Sequence, residues 1–182
     1  MAASLGTFIR HLWLDADDAR RQVGPKVLEQ LTQRVAASES RHSGEIRICI
    51  EASLPLSDLW RVGPALSLAQ LTRERAVSMF GQLRVWDTEL NNGVLIYVLL
   101  AEHAIEIVAD RGLNAQISAS QWSALVLHMT ESFRQGDYEG GMTHALEHIS
   151  AALMEQFALP LTEPGGHARI NSNELPDAPT LL

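Results

Sequence analysis

A chain of 182 residues with 46% hydrophobic content is long enough to bury one core, and its composition asks for no second domain. Its formal charge of −8 is uneven, with 11 basic against 9 acidic side chains in residues 1–84 and 3 against 13 in residues 85–182. A field of that sign repels phosphate backbones, which excludes general nucleic-acid binding and favours cations or basic partners; the lone Cys49 excludes an internal disulfide and a cysteine-rich zinc site.

Residues 1–23 interrupt every apolar run with Arg10, His11, Asp15, Asp17 and Asp18. They read as an amphipathic, arginine-bearing segment rather than an export signal, so a cytoplasmic location is expected. Such a segment suits an unknown protein partner or the periphery of a membrane. Spanning one is not expected, because the longest apolar run, 94–101, falls far short of the roughly 20 residues a bilayer requires.

Gly24-Pro25 followed by Val27, Leu28, Leu31 and Val35 predicts an amphipathic helix running to about Ser40, with proline where its missing N–H is harmless. Residues 45–51 then alternate: Ile46, Ile48 and Ile50 share one face, and Glu45, Arg47, Cys49 and Glu51 the other, the pattern of a half-covered strand. A connection over 52–64 leads to a helix over 67–83, striped by Leu68, Leu71, Ala76, Met79, Phe80 and Leu83. After a polar link, the continuous apolarity of 94–100 marks a strand covered on both faces at the centre of the sheet. Glu102-His103 is taken as a two-residue turn into a further strand over 104–109.

Ser118 with Gln121 forms a capping box that opens a third helix, striped by Trp122, Leu125, Val126, Met129 and Phe133. Gly136-Asp137-Tyr138 breaks it, and a last helix runs to 159 on Met142, Ala145, Leu146, Ile149, Leu153 and Phe157. Residues 160–182, rich in proline, glycine and acids without periodicity, are expected to form a disordered tail. One domain over 24–159 follows. Its element order predicts a three-layer α/β/α sandwich around a small mixed sheet, layered as in Rossmann folds, with one parallel crossover and one antiparallel hairpin.

The two-residue turn pairs Ala101 with Ala104 and sets Val94 opposite Arg111. Asp110 and Arg111 then stand beside Asn91 and Asn92, and Arg84, Asp87, Thr88 and Glu89 arrive at the same end of the sheet. A parallel crossover brings Glu45 there too. Clusters of carboxylate, amide and carbonyl oxygens suit hard cations, so Asp87, Asn92 and Asp110 are the candidate ligands for Ca2+ or Mg2+, with Arg84, Thr88, Arg111 and Glu45 around them. The competing reading is structural: Asn91-Asn92-Gly93 is turn chemistry, and Asp87 and Thr88 can cap backbone groups.

A second constellation, His144-Ala-Leu-Glu147-His148, matches the inverted zinc-peptidase pattern and makes a zinc hydrolase a further reading. That chemistry needs a third protein ligand, and the later candidates are Glu155, Glu163, His167, Glu174 and Asp177. Gly140-Gly141 opens the last helix without a phosphate-loop lysine, so a nucleotide site is not expected.

The stretch Arg84-Val-Trp-Asp87-Thr-Glu-Leu-Asn91-Asn92-Gly93-Val-Leu-Ile-Tyr97, then Ile105-Glu-Ile-Val-Ala-Asp110-Arg111-Gly112-Leu113, then Phe133-Arg-Gln-Gly136-Asp137-Tyr138, resembles the TPM-domain family over residues 27–157. That family includes thylakoid-lumen photosystem-repair proteins, many bacterial proteins and nematode receptor modulators. The resemblance implies an α/β/α sandwich and a link to calcium binding and to acid-phosphatase activity. A metal-assisted phosphomonoester hydrolase, with Arg84 or Arg111 steadying the phosphate, is therefore the alternative to a cation-binding or protein-interaction module. Many members also carry a signal peptide and a C-terminal membrane helix, and this chain looks like a shorter branch expected to lack both; where other members often read V-G-x-G-L-E-G followed by an acid, it has Ala109-Asp110-Arg111-Gly112-Leu113-Asn114-Ala115 and then Ser118, with Asp110 the acid that would compensate.

Overall fold

The computed structural model describes residues 5–114, 117–159 and 173–182. Two short helices come first, α1 (Leu5–Trp13) and α2 (Ala16–Val23). Asp15 starts the second through a reciprocal capping box with Asp18. Gly24 turns the chain at φ 88°, and Pro25 opens α3 (Pro25–Glu39) as its spacing predicts. Then follow β1 (Ile46–Glu51), the single turn α4 (Leu56–Leu59), α5 (Leu68–Gln82), β2 (Val94–Leu99), β3 (Ala104–Ala109), the single turn α6 (Arg111–Asn114), α7 (Ala119–Arg134), α8 (Tyr138–Phe157) and β4 (Thr180–Leu181). Ser67 with Gln70 and Ser118 with Gln121 cap α5 and α7.

Among the described residues four strands form one open mixed sheet in the order β3-β2-β1-β4. β1 and β2 run parallel, joined through α5, and β3 returns antiparallel. Helices cover both faces, which gives the expected layering. On one side Ile46, Ile48, Ile50, Val94, Ile96 and Val98 meet α3, α7 and α8. On the other, Cys49, Leu95, Tyr97 and Leu99 meet Leu59 of α4 and Leu71, Ala76 and Met79 of α5. Burial pushes the Cys49 thiol up to about 12, so it stays a protonated core group. Among the described residues no helix is long and apolar enough to cross a membrane.

Three expectations are corrected. β1 is not half-covered, since all six of its residues are buried. Its polar positions are tolerated because each has partners: Arg75 forks onto Glu51, and Arg47 donates to the carbonyls of Pro176 and Ala178 and to Thr180 Oγ1. The hairpin loop has four residues instead of two. A turn of 3-10 helix takes up Leu100–Glu102, His103 closes it in the left-handed region at φ 47°, and Leu99 pairs with Ala104. Turn length sets antiparallel register, so Val94 faces Ala109 and not Arg111.

The third correction concerns the tail. Residues 173–182, expected to be disordered, run along the free edge of β1 and add the parallel strand β4. Leu182 and Ala52 complete the ladder, with Ala52 N donating to Leu182 O and Leu182 N to Ile50 O. The remaining tail positions, 160–172, lie outside the described residues.

Candidate functional site

The site begins where β2 enters the sheet. Thr88 Oγ1 accepts the N–H of Asn92 at 3.1 Å and so holds the turn before β2. Asn91 occupies the left-handed region at φ 53°, a conformation asparagine tolerates better than most residues. The segment after β3 folds against this turn: Asp110 N donates to Gly93 O and Gly112 N to Asn91 O, both at 2.9 Å. Arg111 Nη2 adds a bond to Asn91 Oδ1 at 2.9 Å. Asp110 is therefore beside the Asn91–Gly93 turn even though the register differs by two residues from the expected one.

Among the described residues, Asn92 Oδ1 and Asp110 Oδ2 find no hydrogen-bond partner. Asn92 is fully buried, and its Nδ2 donates to Ser43 Oγ at 3.3 Å while its Oδ1 has no hydrogen-bond partner. Asp110 uses Oδ1 to accept from Arg111 N and leaves a buried Oδ2 unpaired. Across β1 the Glu45 carbonyl accepts from Val94 N, and the Glu45 carboxylate accepts from Leu175 N at 3.0 Å. Arg84 (φ 56°) and Asp87 lie in the preceding turn, tied by an Asp87 N to Arg84 O bond; both are exposed, and among the described residues their side chains form no hydrogen bond. The rim thus unites Thr88, Asn91, Asn92, Asp110 and Arg111, flanks them with Glu45, and leaves Asp87 and Arg84 at its outer lip. Among the described residues no three His, Cys, Asp or Glu side chains gather so as to hold a metal, so an ion here would depend on Asn92 and backbone carbonyls besides two acids.

Sequence reasoning named Glu174 and Asp177 only as candidate zinc ligands and missed that the C-terminal segment delivers them to this side of the sheet. Glu174 accepts from Glu89 N, and the Asp177 carboxylate lies close enough to act on the Glu39 carboxyl, whose Oε1 accepts from Ile46 N at 2.7 Å. No local pattern could have announced this, because the partners are remote in the chain. Burial pushes Glu39 up to about 8, with the Glu45 and Asp177 carboxylates adding to the rise. The folded chain therefore keeps a proton that an unfolded carboxyl releases near 4.5, and stability falls as pH rises from about 4.5 through 8. His42 has the opposite dependence. Its Nδ1 faces Gly44 O and its Nε2 faces Ser38 Oγ, and burial lowers it to about 4, so its contribution is complete above 6.5 and is lost as pH falls. Glu39→Gln preserves an acceptor for Ile46 N. It is expected to flatten the alkaline loss, making the variant more stable than the wild type by at least about 1 kcal/mol near pH 8.5. Urea melts across pH check this, and parallel profiles would refute it.

A family model described as the TPM domain matches residues 21–152, from α2 into α8. The chain belongs to the TPM-domain family. The BA42 protein of the psychrophilic bacterium Bizionia argentinensis has a similar overall fold, at 24% identity and a TM-score of 0.66 over 86% of this chain and 93% of that one. An N-terminal domain from P. gingivalis also aligns, at 17% identity and TM-score 0.49, over 79% and 93% of the two chains. No curated protein sequence matches. Within this TPM domain the segments Asp87 to Gly93 and Asp110 to Leu113, both inside the matched span, are joined by the fold through the bonds described above.

Two other surfaces lie outside the rim. α1 exposes Leu5, Ile9, Leu12 and Trp13, and Phe8 packs against the exposed Trp60 with ring centroids 4.9 Å apart and planes inclined by 47°. His11, by contrast, is buried and anchors α1, its Nδ1 accepting from Leu54 N and its Nε2 bonding Glu102. His144, Glu147 and His148 occupy α8, and none of the three hydrogen-bonds a rim residue. Glu163 and His167, considered as third zinc ligands, lie outside the described residues.

Proposed function

We propose that this TPM domain is a cation-binding module that holds Ca2+ or Mg2+ at the rim through Asp87, Asn92 and Asp110. The observation that carries the reading is the pair of buried, unpartnered oxygens, Asn92 Oδ1 and Asp110 Oδ2, on two segments locked together by backbone bonds. An unpaired buried oxygen is costly, and a hard cation is the partner that satisfies several at once. The Arg111 guanidinium is already engaged by Asn91, which limits its repulsion of an ion, and the acidic second half of the chain raises the local cation concentration. Asp87, exposed at the outer lip, supplies a carboxylate that can close over the ion. Calorimetric titration with calcium and with magnesium tests this. Wild type is expected to give a saturable heat and the Asp87→Ala, Asp110→Ala double variant none; heat unchanged in the double variant removes the assignment.

A further inference from the structure

The face between α7 and α8 carries three imidazoles that the rim does not use. His144 and His148 are four residues apart on α8, a spacing that stacks both rings on one side of the helix. Their Nε2 atoms are 3.2 Å apart. Two nitrogens bound at 2.0–2.1 Å to one tetrahedral ion are separated by about 3.3 Å, so the pair already has the spacing of two corners of a metal site. His128 of α7 lies flat on His144, with ring centroids 3.9 Å apart and planes inclined by 27°, which fixes the plane of the His144 ring. The rings border a cleft of about 390 Å³ whose other walls include Gln121, Trp122 and Ile149, leaving room for water on the remaining coordination positions.

We propose that His144 and His148 form a bis-imidazole site for a borderline transition-metal ion of the Zn2+, Ni2+ or Cu2+ class. Neutral imidazole nitrogen selects such ions over Ca2+ and Mg2+, which require oxygen donors that this face does not concentrate. The ion replaces the single proton that the two Nε2 atoms can share. Two protein ligands leave an open, water-bearing site rather than a closed structural one, and no third His, Cys, Asp or Glu converges among the described residues. His144 Nδ1 is buried without an acceptor, so the site lacks the outer partner that strengthens a metal-bound histidine. Its expected affinity is accordingly modest.

The test uses the full chain with Cu2+ as probe in electron paramagnetic resonance, and Zn2+ in competition with a chromophoric chelator. Wild type should bind one ion with hyperfine structure from two nitrogens, and H144Q and H148Q should each lower affinity at least about tenfold, the loss expected when one of two ligands goes. D87A/D110A should leave Cu2+ binding unchanged, which separates this site from the rim. Uptake that persists at wild-type strength in H144Q/H148Q, or no uptake by wild type at micromolar Cu2+, overturns the proposal. Should a glutamine variant lose its circular-dichroism spectrum, wild type decides alone: Zn2+ should shield His144 and His148 from diethyl pyrocarbonate, and equal modification with and without the ion refutes the site.

Discussion

Arg75→Met is expected to lower the unfolding free energy by about 3–5 kcal/mol, the usual consequence of stranding one member of a buried ion pair. The Glu51 carboxylate is only 4% exposed; it receives Arg75 Nε at 2.9 Å and Nη2 at 2.7 Å, and the Tyr97 hydroxyl at 2.6 Å. Two parallel N–H donors make this a fork that a methionine cannot reproduce, although its stem keeps much of the packing on α5. Glu51 would then sit between β1 and α5 with one neutral donor and no cation. Restoring neutrality with Glu51→Leu in the same chain should recover most of the loss, since the penalty belongs to the orphaned charge and not to the absence of a pair. Urea denaturation of the two variants at neutral pH measures both; a single-variant loss below about 1 kcal/mol would mean that water reaches Glu51.

Gly93→Ala is expected to cost about 3 kcal/mol or more and to abolish the calcium heat together with it. A Cβ at position 93 would lie 2.0 Å from the carbonyl oxygen of Val85 and 3.0 Å from its Cγ1. The obstacle is backbone, and Val85 is fully buried with its own N–H on Phe80 O, so neither side can yield locally. Relief requires β2 to move away from the 84–92 turn. That displacement also breaks the Asp110 N to Gly93 O bond, which is what holds the two halves of the rim together. Calorimetry on a folded fraction, alongside thermal melting, separates the two effects; a variant that melts like wild type would show that the close approach is not rigid.

Much of this architecture was legible from residue spacing. The helix periods of α3, α5, α7 and α8, the capping Ser118, and the apolar run of β2 all depend on neighbours within a few residues, and all appear in the fold near the expected bounds. The rim was partly legible for the same reason, because Thr88, Asn91 and Asn92 form a local turn and a hairpin must return Asp110 toward it. Its register was not, because one left-handed residue, His103, and two buried loop residues, Leu100 and Ala101, decide it, and none of them carries a turn signature.

The chain by itself determined the layered α/β/α plan, the acidic second half and the Asn91–Gly93 turn. Tertiary structure alone decided that β1 is central, that Glu51 is neutralised by Arg75, and that the last ten residues close the sheet edge by occupying Arg47 across 131 residues of sequence. The physical reason is range. Hydrophobic periodicity reports which face of a segment turns inward, whereas the burial of a polar side chain depends on a partner whose position along the chain is unconstrained by local pattern.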